Sequence, residues 1–189
     1  MQRFITIAMF ILLVPAGLYA QHGTMGNMND SMGRKPFLTQ HGNHRIYHLY
    51  VTDTVVNYTG RKANAVAING SIPGPKLEFT EGDTAEIHVH NLMHMETSIH
   101  WHGLILDNYQ DGVPYLTTAA IAGHSTLVYK FPIVQNGTYW YHSHSMLQEQ
   151  SGMYGAFIIH KKNETPHNEY TLLLSDWTNE KPEQVERSL

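Results

Sequence analysis

Short runs of alternating apolar and polar residues, each ended by a turn signal, leave this chain little choice but β-structure. In residues 84–91, Ala85, Ile87 and Val89 fall on one side, while Glu86, His88 and His90 fall on the other. A period of two matches a strand, whose side chains point to opposite faces in turn, and does not match a helix. From His44 onward the same alternation sets Ile46, His48 and Tyr50 against Tyr47, Leu49 and Val51. Comparable runs cover residues 65–68, 76–79, 98–102, 125–131, 138–142 and 154–160. Between them stand Asn69-Gly70, Pro73-Gly74-Pro75, Glu81-Gly82-Asp83, Asp111-Gly112 and Asn136-Gly137, residues that accept the backbone angles of tight turns. Little of the chain has helical period, although residues 145–151 have room for one short turn. The expectation is an all-β fold built as an antiparallel sandwich.

The ends read differently. Arg3 precedes an apolar run over residues 4–14, which Pro15 and Gly17 close, and Ala20 offers a small residue for cleavage. Residues 1–20 therefore read as a secretory signal peptide. The run is shorter than the roughly 20 apolar residues of a membrane span, so no stable membrane anchor is expected. Residues 21–43 are read as a flexible linker rich in Gly, Asn and Met. Met25, Met28, Met32 and His22 have the soft-ligand chemistry that suits Cu(I), although a linker that merely contains methionine explains them as well. Residues 44–162 form the main domain. Residues 163–189 hold a polar linker with Pro166 and then strand-like residues 170–177. They are expected to begin an incomplete second domain, as in a chain truncated at its C-terminus.

Composition narrows the chemistry. Apolar residues make up 42% of the 189, enough for a normal core, and the net charge of −4 gives no electrostatic reason to expect a nucleic-acid partner. There are no cysteines. That excludes disulfides, thiolate zinc sites, a cysteine nucleophile and a cysteine-borne lipid anchor. It also excludes a blue-copper centre within this chain, because that centre needs a Cys ligand.

The 14 histidines occur partly as His-x-His. Squaring 14/189 gives about 0.5% per three-residue window, so about one such pair is expected from composition alone. The chain has His88/His90, His100/His102 and His142/His144. A solvated polar strand face explains His88 and His90. The other two pairs lie in His100-Trp101-His102-Gly103 and Tyr141-His142-Ser143-His144. In a strand, each spacing puts both imidazoles on one face. If the two strands adjoin at the usual spacing of about 4.8 Å, four imidazoles converge. Such a set suits copper, zinc, iron or nickel; ordinary core or surface histidines are the alternative.

The full strings carry a resemblance. His100-Trp101-His102-Gly103 and Gly137-Thr138-Tyr139-Trp140-Tyr141-His142-Ser143-His144 resemble, in order and separation, the first two copper motifs of multicopper oxidases. Leu147-Gln148-Glu149-Gln150, followed by Gly152-x-Tyr154-Gly155-Ala156, resembles the periplasmic copper-resistance branch. Asp111-Gly112-Val113-Pro114 and Asn69-Gly70-Ser71-Ile72-Pro73-Gly74-Pro75 fit the same family. The likeness covers residues 44–177. It implies a cupredoxin-like Greek-key sandwich, the first cupredoxin (plastocyanin-like) domain of such a protein, with a second beginning in residues 163–189. It also implies a trinuclear copper cluster that reduces dioxygen to water.

By the same resemblance, His100 is a ligand of the type 2 copper. His102 and His142 share one type 3 copper, and His144 binds the other. Asp111 matches the family's acidic residue that relays protons near the cluster, although Asp-Gly is also a plain turn signal. Trp101, Trp140 and Tyr141 are expected to pack around the site or its sandwich core, with the core favoured; Met93, Met95, Met146 and Met153 are expected to pack, with copper handling as the alternative. Residues 119–123 lack the prolines that the family often has there. The four remaining cluster histidines and the type 1 copper with its Cys are absent from this chain. They would come from C-terminal cupredoxin domains of the same protein or from a neighbouring subunit.

The first expectation is therefore the copper-binding N-terminal part of an oxidase. The intact protein would couple oxidation of Cu(I) or phenol-like donors to four-electron reduction of dioxygen, in the periplasm and in copper resistance. Alone, this chain would be inactive. The competing expectation is a stand-alone, non-enzymatic periplasmic protein that sequesters copper.

Overall fold

In a computed structural model, residue 35 and residues 37–165 and 168–189 are described. The signal-peptide expectation and most of the methionine-rich linker lie outside them. Among the described residues nine strands run in order: β1 Leu38–His41, β2 His44–Val56, β3 Ala63–Ile68, β4 Leu77–Thr80, β5 Thr84–Asn91, β6 His100–His102, β7 Thr126–Pro132, β8 Gly137–His142 and β9 Tyr154–His160. A short helix, α1, covers Pro182–Glu186. No helix among the described residues is long and apolar enough to cross a membrane.

The strands form two sheets. One has the order β1-β2-β5-β7, with β3 pairing the far end of the long strand β2; the other has the order β4-β9-β8-β6. Most neighbours are antiparallel, as expected, but β2–β5 and β4–β9 are parallel. Parallel neighbours cannot be joined by a tight hairpin, so turn signals alone do not foreshadow them.

Alternation decides which side chains enter the sandwich. Tyr47, Leu49, Val51, Ile87, Val89, Tyr129 and Phe131 point inward from the first sheet. Leu77, Phe79, Trp101, Tyr141, Phe157 and Ile159 meet them from the second. Trp101 is fully buried at the centre, with Tyr129, Phe131, Tyr141 and Phe157 around its ring. Burying side chains of this size supplies the main driving force for closing the sandwich.

Two expectations about the ends change. Residues 38–41, within the expected linker because so short a run shows no period, form β1, paired with the start of β2. Residues 170–177, expected as a strand, form none, and Tyr170, Leu172 and Leu174 are largely exposed. Trp177 from this segment rests edge-on against Tyr58.

Candidate metal centre

Strand β6 is a three-residue edge strand paired antiparallel with β8. Its register sets His100 opposite His142, Trp101 opposite Tyr141, and His102 opposite Trp140. Trp101 and Tyr141 point into the core, so the histidines that alternate with them must face outward. Tyr141 is held there by donating to the Pro75 carbonyl at 2.7 Å. Its hydroxyl passes where Gly155 has no Cβ; one built there would lie 2.3 Å from that oxygen.

Four imidazoles gather on the outer face. Ring centres of His100 stand 5.5, 5.4 and 5.0 Å from those of His102, His142 and His144. His102–His142 and His142–His144 are 5.4 and 5.1 Å apart. Among the described residues, His100, His102 and His142 form the one group of three whose ligand atoms lie within 4.8 Å of one another. His144 adjoins it at ring distance.

Hydrogen bonds select which nitrogen each ring turns to the centre. The Nδ1 of His100 lies 2.8 Å from the Asp111 carbonyl and 3.3 Å from an Asp111 carboxylate oxygen. A carbonyl only accepts, so Nδ1 carries the proton and Nε2 keeps its lone pair. The Nδ1 of His142 meets the Ser143 carbonyl at 3.0 Å and the Glu149 carboxylate at 2.7 Å, which frees its Nε2 in the same way. That Nε2 faces the Nδ1 of His102 at 3.2 Å. Two ligands of one ion at about 2 Å in a tetrahedral arrangement stand about 3.3 Å apart, so this spacing suits a shared metal.

Burial favours the neutral form of His142 and His144. The pKa of His142 is pushed down to about 4, first by desolvation, with the neighbouring histidines adding to it. His144 is lowered for the same leading reason. Neutral imidazole is the ligating form, so protons do not compete for these rings near pH 7. Glu149 is raised by its own burial.

The acceptors arrive on two loops. After β6, Gly103 at φ +87° turns the chain. A 3-10 turn at Asn108–Gln110, capped by the Asp107 side chain, then brings Asp111 back to His100. Gly112 permits this approach: a Cβ there would lie 1.6 Å from the Ile99 carbonyl oxygen. After β8, left-handed Met146 and Leu147 reverse the chain so that Glu149 returns to His142. Buried Gln148 fastens that loop, accepting from Thr97 at 2.6 Å and Ser143 at 3.0 Å and donating to the Glu96 carbonyl at 2.9 Å.

The structure thus brings together all five residues singled out from the sequence: His100, His102, Asp111, His142 and His144. Of the two places expected for Trp140, site and core, the structure gives it the site. It faces outward and stacks on His142 and His102, with ring centres 4.1 and 5.0 Å away. Met93 and Met153 are buried as packing residues, whereas Met95 and Met146 are about half exposed. The sequence reading did not give Glu149 a role; only its place in a family-like string marked it.

A family model described as multicopper oxidase matches residues 50–164. Copper resistance protein A of Escherichia coli is 48% identical over 146 residues, covering 76% of this chain and 24% of that protein. Among solved structures, a multicopper oxidase from Campylobacter jejuni described as a metallo-oxidase superposes with a TM-score of 0.59 at 34% identity. The match covers 66% of this chain and 27% of that one. Fet3p, described as a multicopper oxidase that functions in iron import, superposes at 0.66 with 34% identity, over 77% of this chain and 29% of its own. The chain spans about a quarter of the length of the curated relatives it matches.

Proposed function

This chain belongs to the multicopper oxidase family, and from that premise we propose that it holds half of the ligands of a trinuclear copper cluster. Its fold is cupredoxin-like. His100 would ligate the type 2 copper, His102 and His142 would share one type 3 copper, and His144 would hold the other. One observation carries the reading: His102 Nδ1 and His142 Nε2 converge at 3.2 Å on the outer face, with two further imidazoles beside them. All the donors are imidazole nitrogens, which suit copper well. When bound, copper supplies the one-electron chemistry by which dioxygen takes up four electrons and four protons to give two waters.

The chain's own residues do the rest. The Asp111 carbonyl fixes the tautomer of His100, and its carboxylate, one-third exposed at 3.3 Å from Nδ1, is placed to pass protons between solvent and the site. Glu149 and the Ser143 carbonyl orient His142. Trp140 covers one side of the His142 ring and excludes water from it. The intact protein would oxidise Cu(I) or phenol-like donors in the periplasm and serve copper resistance, drawing its remaining ligands from further cupredoxin domains or a neighbouring subunit.

The test is copper loading followed by oxygen uptake. We expect the purified chain to bind Cu(II) through the four histidines, measured by dialysis and paramagnetic resonance. His102→Gln together with His142→Gln should remove most of that binding. With no cysteine, it should show no blue thiolate band and consume no oxygen on addition of Cu(I). Rapid oxygen uptake by this chain alone would overturn the half-cluster reading, and Cu(II) binding indifferent to the double substitution would overturn the ligand assignment.

A further inference from the structure

His88 and His90 do not stand on a plain solvated face. They lie on the outer face of the five-stranded sheet, where the parallel register of β2 and β5 sets His48 beside His88 and Tyr50 beside His90. His48 is only 4% exposed. Its Nδ1 lies 2.9 Å from His90 Nε2, and its ring centre stands 4.6 Å from that of His88 and 5.3 Å from that of His90. Tyr50 stacks on the outer side of His90 at 4.5 Å.

The outward nitrogens are already committed. Lys130 and His88 bond to Glu86 and hold its carboxyl down to about 2, so it is an ionised acceptor. The Nε2 of His88, 2.8 Å from that carboxylate, must then donate, which leaves Nδ1 with the lone pair. The Nδ1 of His90 bonds the Thr126 hydroxyl at 2.8 Å, which leaves Nε2 to face His48. Burial and the neighbouring rings push His48 down to about 4, so it is neutral near pH 7.

We propose that His48, His88 and His90 form a second site, for a divalent transition-metal ion such as zinc or copper, on the sheet face remote from the four-histidine centre. An ion about 2 Å from each nitrogen sits about 3.2 Å from each ring centre, so rings sharing it tetrahedrally stand about 5 Å apart. Two of the three separations, 4.6 and 5.3 Å, already fit. The third, His88 to His90, is 6.2 Å, so His88 has to turn toward His90 for the three rings to share an ion. Three ligands leave a position for water, so the ion is exchangeable. Lys35 opposes a cation here, while the Glu86 carboxylate behind His88 offsets it and orients that ring as a carboxylate orients a metal-bound imidazole. The inference does not depend on the copper reading.

Zn(II) is the probe. In the full chain carrying His100→Gln, His102→Gln, His142→Gln and His144→Gln, calorimetric titration should still find one tight equivalent of Zn(II). Adding His88→Gln and His90→Gln, at partly exposed positions where the fold tolerates a polar replacement, should weaken it at least tenfold while the thermal melt persists. His48 is left in place because it is buried. No Zn(II) bound by the four-site variant, or an affinity unmoved by the two further substitutions, would overturn the proposal.

Discussion

The two outer faces of this sandwich each carry a histidine cluster, and they are supported in different ways. On the β6–β8 face every ring nitrogen turned away from the centre of His100 and His142 rests on a loop: Asp111 on one, Ser143 and Glu149 on the other. The loops are themselves pinned by Gly112 and Gln148. On the β2–β5 face the rings lean mainly on one another and on Tyr50, and a single carboxylate, Glu86, serves His44, His88 and Lys130 together. The difference lies in preorganisation. The first face holds two imidazole nitrogens 3.2 Å apart with their rings fixed from behind, whereas on the second the His88 and His90 ring centres stand 6.2 Å apart.

The largest test of that contrast lies beneath the faces. Trp101 alternates with His100 and His102 and fills the core, whereas Val89 alternates with His88 and His90. Trp101→Ala should cost about 3–5 kcal/mol of stability in urea unfolding, and Val89→Ala about half as much. Equal costs would mean that the two faces rest on the core alike.

Next comes acid. Each face buries one histidine, His48 or His142, whose pKa falls from 6.5 to about 4. The unfolded chain takes up these protons near pH 6.5 and the folded chain only near pH 4. The stability they contribute is therefore full above pH 6.5 and lost as the pH falls from there to about 4. The expected loss in the metal-free protein is on the order of 2 kcal/mol per histidine. Urea midpoints at pH 7 and pH 4.5 measure it; His48→Gln and His142→Gln should each remove a similar share, and a slope owed to one alone would separate the faces.

A smaller effect concerns orientation. Glu149→Ala should lower Cu(II) affinity about 10–100-fold, because His142 loses the nearer of the two acceptors that orient its ring. Glu149→Gln keeps an acceptor and should lose less; equal losses in competition titrations would assign the effect to charge. The smallest change is expected at Lys130→Ala. Its end of the bond to Glu86 is more than half exposed, so the melt should shift by the equivalent of less than about 1 kcal/mol. A larger shift would show that Glu86, rather than ring contact, holds the second face.

These contrasts also mark how far the sequence could be read. Alternation foretold most strands to within two residues at either end, because period two is a local property. The pairs His100/His102 and His142/His144 were legible for the same reason. Pairing was less so. His48 meets His90 only because β2 and β5 run parallel, and no spacing within either strand reveals a neighbour 42 residues away. Taken alone, His88 and His90 therefore looked like ordinary surface residues. Glu149 reaches His142 through the left-handed pair Met146 and Leu147, a reversal for which these residue types carry no turn signal. Leu38–His41 was hidden because four mostly polar residues show no period.

The placement of β6 at a sheet edge has a consequence for assembly. Its histidines project from one face of the sheet, so an ion held by His102 and His142 would take part of its shell from this face and the rest from whatever lies against it. Any chain segment that completes the shell is tied to this sheet by the metal as well as by its own contacts. The free energy of ion binding then becomes docking free energy, growing with ion concentration by mass action. Chelation would act on such an assembly as a solvent that loosens one joint, and the supply of the ion would set how firmly its two sides hold together.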